Sequence, residues 1–386
     1  MPMNSTQMGS LTSLRQRNVT QVLSVLRRQG GMTQVELADM THLSTATISS
    51  IVRELTDKGK VQTTSVSRNG RHALFVSLAT DDAIVVGISI ESNDLYVVLG
   101  DASHGVLSAK HLPLAGRHQS DTTMIRMLEL LREMVDAAER ELADIKSAVI
   151  ALPVPIDNAG HIVVPEIMPG WSAEEIADGF FAGTGVRPFI ANDADMACIA
   201  QMRAVGAELH DDMVYIHADN EIGGAIVVNG DLYRGGSGLA GEFGHIQVDP
   251  NGSICSCGRR GCLNTVVGGH TLRSLLLPTR GDMTLRDIIN DALAGDAACL
   301  RLMEEVASKI AKAVEPVISS FDPQLVVLGG RLSRVGDSFL TSFGQTLTRQ
   351  MFPMQVDREV VLGRAGEDAS AVGAMYLAAS RITVEE

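Results

Sequence analysis

The sequence contains no run of about 18 consecutive uncharged apolar residues, which is the length that a transmembrane helix needs. Its first 18 residues, MPMNSTQMGSLTSLRQRN, include no hydrophobic segment of the secretory signal-peptide type. Cysteine is also scarce, and the five present are an odd number that fits a reducing compartment better than a disulfide framework. We therefore expect a cytoplasmic protein without a membrane partner.

Length and charge both indicate more than one part. A chain of 386 residues with 45% apolar side chains exceeds what one hydrophobic core usually serves, so two or three domains are expected. Residues 1–80 carry nine Lys or Arg and four Asp or Glu, whereas the whole chain has a net charge of −14. A basic segment on an acidic body is typical of a protein that presents one end to a polyanion. A chance fluctuation of surface charge is the alternative.

Three short helices and a hairpin are predicted in this basic segment. Apolar residues recur with helical spacing over Asn18–Arg28, and a Gly-Gly pair follows. Thr33 and Glu36 have the spacing of a capping box at the start of a second helix. Ser44 is the predicted N-cap of a third helix, and two alternating stretches within 60–78 predict a hairpin.

This order of elements predicts a winged helix-turn-helix over residues 1–80, with operator DNA as its partner. Small hydroxyl side chains and an arginine on the second helix of such a motif suit insertion into the major groove, and arginines at the tip of the wing suit the backbone or minor groove. A protein-binding module of the same shape is the alternative. The predicted DNA-contacting residues are Thr45, Thr47, Ser49, Ser50, Arg53, Arg68 and Arg71.

A cluster of one histidine and three cysteines lies within eighteen residues farther along the chain. His245, Cys255, Cys257 and Cys262 supply one imidazole and three thiolates, which would fill the four tetrahedral positions of a structural Zn²⁺. Such a closed site builds a loop and leaves no open position for catalysis. Unliganded reduced cysteines, or a Cys-x-Cys redox pair, are the alternatives.

Beyond residue 78, strands alternate with longer helices, so the body is predicted to be α/β. Together with the basic winged helix, three motifs make the chain resemble the ROK family of sugar kinases and sugar-responsive repressors, in its DNA-binding branch. They are Asn-Asp-Ala at 192–194, Gly-Glu-Phe-Gly-His at 241–245 and Cys-Ser-Cys-Gly-Arg-Arg-Gly-Cys at 255–262.

The resemblance implies an actin-like (ribonuclease-H-like) sugar-kinase fold of two lobes over residues 81–386, with a structural zinc loop. Lobe I would span about 82–195 plus a C-terminal helix at about 366–386, and lobe II about 196–365. The resemblance also implies a homodimer or homotetramer. The ligand-binding residues that it implies, together with the position that departs from the family, are Asn192, Asp193, Glu242, His245 and Asn264. Asp193 as a helix N-cap, and Glu242 as a partner of the zinc histidine, are the alternatives.

The departures from the kinase pattern concern phosphate and sugar. Glu91 stands where the kinases have glycine in their first phosphate loop, and Asp219 and Glu221 stand in the second. One carboxylate roughly 4 Å from a phosphate charge costs about 4 kcal/mol at an effective dielectric constant near 20. Because these carboxylates oppose phosphate binding, Asp193 is expected to be only a remnant of the catalytic base of the kinases. No residue of the chain is expected to be catalytic. On the sugar side, Asn264 replaces a glutamate and Val154 a glycine.

These observations predict a sugar-responsive transcriptional regulator, acting as a repressor. Its winged helix would bind operator DNA, and its catalytically inactive body would sense a sugar or sugar derivative. Two alternatives remain at this stage. The chain could be an active sugar kinase that retains a DNA-binding head, or a repressor that works without a ligand or senses a partner protein.

Overall fold

The computed structural model describes residues 5–68, 71–79, 83–116, 118–205, 211–351 and 359–382. The N-terminal part, here called the head, is a helix-turn-helix followed by a hairpin. Its short strand β1 extends the hairpin sheet, whose order is β1-β3-β2. The head elements are α1 (Ser5–Gln29), β1 (Met32–Thr33), α2 (Gln34–Thr41), α3 (Thr45–Asp57), β2 (Val61–Arg68) and β3 (Arg71–Leu78).

Side-chain caps fix the two helices of the motif as the sequence predicts. Thr33 and Glu36 form a complete capping box at α2, and the Ser44 hydroxyl accepts a hydrogen bond from the backbone N–H of Thr47 at the start of α3. Both helices bury their apolar faces in a core that also includes residues of α1 and the hairpin. The first helix is longer than the predicted Asn18–Arg28, since it begins at Ser5.

Lobe I is built on a five-stranded sheet of order β6-β5-β4-β7-β8, in which β4, β7 and β8 are parallel. Helices α4 and α5 cover one face and α6 and α12 the other, so both faces are buried. The elements are β4 (Ile84–Ile90), β5 (Asp94–Asp101), β6 (Val106–Pro113), α4 (Ser120–Ala137), β7 (Ile145–Leu152), α5 (Ala173–Thr184), β8 (Phe189–Asn192), α6 (Asp193–Val205) and the C-terminal α12 (Ala369–Ser380).

Lobe II contains a second five-stranded sheet, of order β11-β10-β9-β12-β13. Helices α8 to α11 cover one of its faces, and α6 packs against the other. The elements are β9 (Met213–Ala218), β10 (Ile222–Val228), β11 (Asp231–Tyr233), α7 (Asn264–Val267), α8 (Gly269–Arg280), α9 (Leu285–Leu293), α10 (Ala297–Phe321), β12 (Leu325–Gly329), α11 (Asp337–Gln350) and β13 (Glu359–Leu362).

Helices α6 and α12 lie against each other between the two sheets, and small residues allow this close packing. A Cβ atom on Gly373 of α12 would lie 1.7 Å from the carbonyl oxygen of Met196 on α6, so only glycine fits at that position. Alanines fill most of the neighbouring buried positions of α12. The two lobes therefore meet at a tightly packed pair of helices beside the cleft.

Candidate functional site

The predicted metal residues converge in one loop of lobe II. His245, Cys255, Cys257 and Cys262 each present a ligand atom, and these four atoms all lie within 4.8 Å of one another. The loop bends sharply at Gly261, where φ is +66° and a Cβ atom would lie 1.5 Å from the carbonyl oxygen of Asp249. Glycine is required there because no side chain fits between the two backbone segments.

Distances within this cluster fit a tetrahedral ion. The Sγ atoms of Cys257 and Cys262 are 3.7 Å apart, and the Sγ of Cys255 is 3.6 Å from the Nδ1 of His245. Around a tetrahedral Zn²⁺ with ligand bonds of about 2.0 to 2.3 Å, ligand atoms are separated by about 3.5 to 3.8 Å. The donor set and the spacing are therefore those of a closed structural site.

The predicted ligand residues come together in the cleft between the lobes. Asn192, Asp193, Glu242, His245 and Asn264 all face one cavity, which the Pro-Val-Pro segment at 153–155 also borders. The volume of this cavity is about 30 Å³, enough for only one or two water molecules. This volume is smaller than that of a sugar ring.

Both amides of this cleft are engaged with the backbone. The Oδ1 of Asn192 accepts from the N–H groups of Ala194 and Asp195 at the start of α6, and its Nδ2 donates to the carbonyl of Val154 at 3.0 Å. The Oδ1 of Asn264 accepts from the N–H of Ile222 at 2.7 Å. Asn192 thus caps α6, and Asp193, the residue weighed as the cap from the sequence, also accepts a hydrogen bond from the N–H of Ala194 at 2.8 Å.

The carboxyl groups of the cleft lie in a poorly solvated environment. Burial raises the pKa of Asp193 to about 8, and one of its oxygens is 4.0 Å from the Nε2 of His217. Burial, reinforced by Asp195, raises the pKa of Glu242 to about 7. A ligand that donates hydroxyl hydrogen bonds to these groups would favour their ionised forms.

His245 joins the metal cluster to the cleft. Its Nδ1 faces Cys255, and its Nε2 lies 4.0 Å from a carboxylate oxygen of Glu242. That separation exceeds hydrogen-bonding distance, so the structure shows proximity without a direct bond. The same imidazole can therefore serve a metal on one side and stand beside a ligand on the other.

At the other end of the cleft, a buried arginine lies among three carboxylates. Arg331 follows β12, and its guanidinium pairs with Asp219 at 2.6 Å, Glu91 at 2.8 Å and Asp94. Its side chain is only 8% exposed. Glu91 and Asp94 belong to lobe I, whereas Asp219 and Arg331 belong to lobe II, so this charge cluster connects the lobes.

Two of these carboxylates, Glu91 and Asp219, were predicted to oppose phosphate, but their counter-ion Arg331 was not predicted. Glu91 and Asp219 line one cavity together with Arg331, whereas Glu221 lines the cavity of Asp193 and Glu242. Arg331 directly follows the Gly329-Gly330 pair, which was the only signal that could have drawn attention to it. The two glycines border a cavity of about 430 Å³ next to the charge cluster.

On the head, the predicted recognition face is open. Thr45, Ser50 and Arg53 are exposed, while Thr47 and Ser49 are half-buried. The sequence analysis missed Arg15 of α1, whose guanidinium donates to the Ser50 hydroxyl at 3.2 Å and to Glu54 at 2.8 Å. The side chains of the predicted wing residues Arg68 and Arg71 lie outside the described part of the structure.

Both parts of the chain match the profile of a known protein family. The profile of the ROK family matches residues 85–381, and a winged helix-turn-helix DNA-binding profile matches residues 15–62. The chain belongs to the ROK family.

Relatives within the ROK family include regulators and kinases. The DNA-binding transcriptional dual regulator NagC of Escherichia coli is 26% identical and covers 97% of this chain and 95% of its own length. A glucokinase of Thermotoga maritima is 30% identical over 67% of this chain and 85% of its own. The crystal structure of a ROK family transcriptional regulator, a homologue of the E. coli Mlc protein, superposes with a TM-score of 0.71 at 24% identity, covering 95% of this chain and 97% of that one.

These comparisons confirm the expected fold, a winged helix-turn-helix joined to an actin-like ROK sugar-kinase fold. The glucokinase lacks a counterpart for about a third of this chain, whereas the regulators span nearly all of it.

Among the described residues, no helix is both long and apolar enough to cross a membrane.

Proposed function

We propose that this ROK protein is a transcriptional repressor that binds operator DNA through residues 1–80 and senses a sugar or sugar derivative in the cleft of residues 81–386. One observation carries the proposal: the cluster around Arg331 places three carboxylates at the end of the cleft where a sugar kinase would bind phosphate, while the exposed face of α3 is open to DNA. The full-length similarity to NagC supports the same reading.

Residues 81–386 are proposed to have no catalytic activity. The cluster around Arg331 holds Glu91, Asp94 and Asp219 at the place where a nucleotide would bring its phosphates. A triphosphate would have to displace the arginine from its partners or stand beside three carboxylates, and both alternatives are unfavourable. Asp193 therefore remains as a ligand-binding group without a phosphoryl donor.

Sugar recognition is assigned to Asp193, Glu242 and His245, with Asn192 and Asn264 holding the walls of the cleft. Carboxylates that accept hydrogen bonds suit the hydroxyl groups of a sugar. Because the volume of the cavity is only about 30 Å³, sugar binding is proposed to move the lobes, and that movement can change the spacing of two heads in a homodimer or homotetramer. A coupling free energy of about 1–3 kcal/mol between sugar and operator would suffice.

The metal is proposed to be zinc, held by His245, Cys255, Cys257 and Cys262 as a structural ion. It would supply folding energy to the loop and no chemistry. Through His245 it would also fix the position of the groups next to Glu242.

A kinase assay tests the absence of catalysis. The purified protein, incubated with ATP, Mg²⁺ and either hexoses or their N-acetyl forms, is expected to show no sugar-dependent ADP release. Binding of the same sugars is measured in parallel by thermal shift. Sugar-dependent ADP release that disappears in Asp193→Asn would overturn the repressor proposal in favour of a kinase. A complete lack of sugar binding would favour the repressor that senses a partner protein.

A head variant tests DNA recognition. Arg53 is exposed on α3 and is expected to contact the DNA backbone. Arg53→Ala should weaken operator binding and lower the slope of log K against log salt by about one, because one phosphate contact is lost. Fluorescence anisotropy over a range of salt concentrations measures both effects. Lys110→Ala, which removes an exposed cation from β6 of the body, is the matched control. Equal operator affinity in the two variants would contradict the assignment of this face.

A further inference from the structure

A second cavity, separate from the cleft, lies where the head meets both lobes. Its wall includes Gln29 at the end of α1, Arg203 of α6, Tyr376 of α12 and Leu232 of β11. We call it the junction cavity. Its volume is about 490 Å³, which lies within the range of roughly 300–1,000 Å³ that holds small organic ligands. None of its lining residues belongs to the sugar cleft or to the cluster around Arg331.

Apolar side chains form most of this wall. Phe189, Met196, Ile199 and Met202 contribute aromatic and flexible aliphatic surface on the lobe I side. Methionine adapts its shape to irregular or flat apolar partners because it is unbranched and polarisable. A ligand that occupies the junction cavity must therefore carry an apolar body.

Two guanidinium groups of the wall lie over aromatic rings. The Cζ of Arg203 is 4.4 Å from the centroid of the Tyr376 ring, and the Cζ of Arg381 is 4.4 Å from that of Phe189. Arg381 is exposed, and no carboxylate of the described residues pairs with it. A planar guanidinium held on a ring keeps its edge available for a carboxylate.

The remaining charges of the wall do not alter this preference. Arg234 already pairs with Asp195 at 3.1 Å and donates to the carbonyl of Ile156. Asp231 is the single carboxylate that lines the cavity, against three arginines. The junction cavity is thus apolar inside and cationic at its edge.

We propose that the junction cavity binds an aromatic carboxylic acid of one or two rings. The rings would pack against Phe189 and Tyr376, and the carboxylate would pair with Arg381. Arg203 also donates to the carbonyl of Gln29, the last residue of α1, at 2.8 Å. An occupant therefore contacts the head and both lobes together, and its binding changes the affinity of the protein for operator DNA.

Calorimetric titration of the full chain with 2-naphthoate tests the site. We expect saturable binding, with at least tenfold weaker binding of the uncharged analogue 2-naphthalenemethanol. Arg381→Gln should weaken naphthoate binding about tenfold and leave the alcohol unaffected, since only the charged contact is lost. Arg349→Gln, at an exposed position of α11 outside the cavity, is the matched control and should bind as wild type does.

Three results would overturn the proposal. The first is the absence of saturable naphthoate binding, and the second is equal binding of the acid and the alcohol. The third is an Arg381→Gln variant in which an oligomer dissociates while naphthoate binding is unchanged, which would make this surface a contact between copies of the chain. Ile199→Trp, which fills the cavity, should abolish binding of both compounds. Operator affinity measured with saturating naphthoate should differ at least threefold from that without it. An unchanged affinity would refute the coupling.

Discussion

Replacing Arg331 with methionine is expected to lower the free energy of unfolding by about 3–5 kcal/mol. The substitution keeps an unbranched apolar stem but removes the guanidinium, so Glu91 and Asp219 lose their counter-ion, while Asp94 keeps His111 at 2.7 Å and Arg286 at 3.8 Å. Removal of one partner from a buried ion cluster is strongly destabilising because the remaining charges stay desolvated. Urea denaturation followed by circular dichroism measures the difference.

A matched control comes from the same turn of the chain. Arg334 lies three residues later, is 47% exposed and pairs with Glu367. Arg334→Met should change the free energy of unfolding by less than about 1 kcal/mol, because solvent screens an exposed pair. Equal effects of the two substitutions would contradict the role assigned to the buried cluster.

The loss in Arg331→Met should also depend on pH. In the wild type, burial and then Asp219 raise the pKa of Glu91, whereas Arg331 offsets the burial of Asp219 and lowers its pKa below the ordinary value. Without Arg331, the pKa values of Glu91 and Asp219 should both be raised. A raised pKa gives stability that is present below the unfolded value, about 4, and is lost as pH rises. The deficit should therefore be smallest below about pH 4 and largest at neutral pH and above.

Removing the metal is expected to disable the sensor before the DNA-binding head. Cys257→Ser should eliminate the proposed zinc ion and destabilise lobe II by more than about 4 kcal/mol, because the loop of residues 245–264 would depend on that ion for its folding. Since His245 stands beside Glu242, release of operator DNA by sugar should be lost. Metal analysis and operator binding with and without sugar measure these effects.

Cys299→Ala is the control for this substitution. It removes a buried cysteine of α10 in the same lobe, away from the cluster, and should retain zinc and the sugar response. A Cys257→Ser protein that still releases DNA at the wild-type sugar concentration would contradict the coupling of metal and cleft. A wild-type protein without zinc would refute the metal assignment itself.

Features that depend on residues close together in the sequence were predicted correctly. The capping residues Thr33 and Ser44 act on neighbours three residues away, and the four predicted metal residues lie within one short loop. Patterns at that range depend on backbone geometry that the residues themselves determine. The two helices of the helix-turn-helix and the metal cluster could therefore be predicted from the sequence alone.

Long-range partners were not accessible in the same way. Arg331 is 112 residues from Asp219 and 240 from Glu91, and nothing in the sequence pairs them. The uses of Asn192 and Asn264 likewise depend on backbone atoms of other segments. The family resemblance predicted that these side chains would lie at the cleft, but only the topology determines which hydrogen bonds they make.

The position of α12 has a consequence for how the protein is made. This last helix covers the face of β4 and packs against α6, yet about 280 residues separate β4 from α12 along the chain. At about 5–20 residues per second, the ribosome needs on the order of 15 to 60 s to bridge that distance. During this time the head, whose last strand β3 ends at Leu78, can already fold and bind DNA. A newly made molecule would thus be able to bind DNA before it can respond to its ligand.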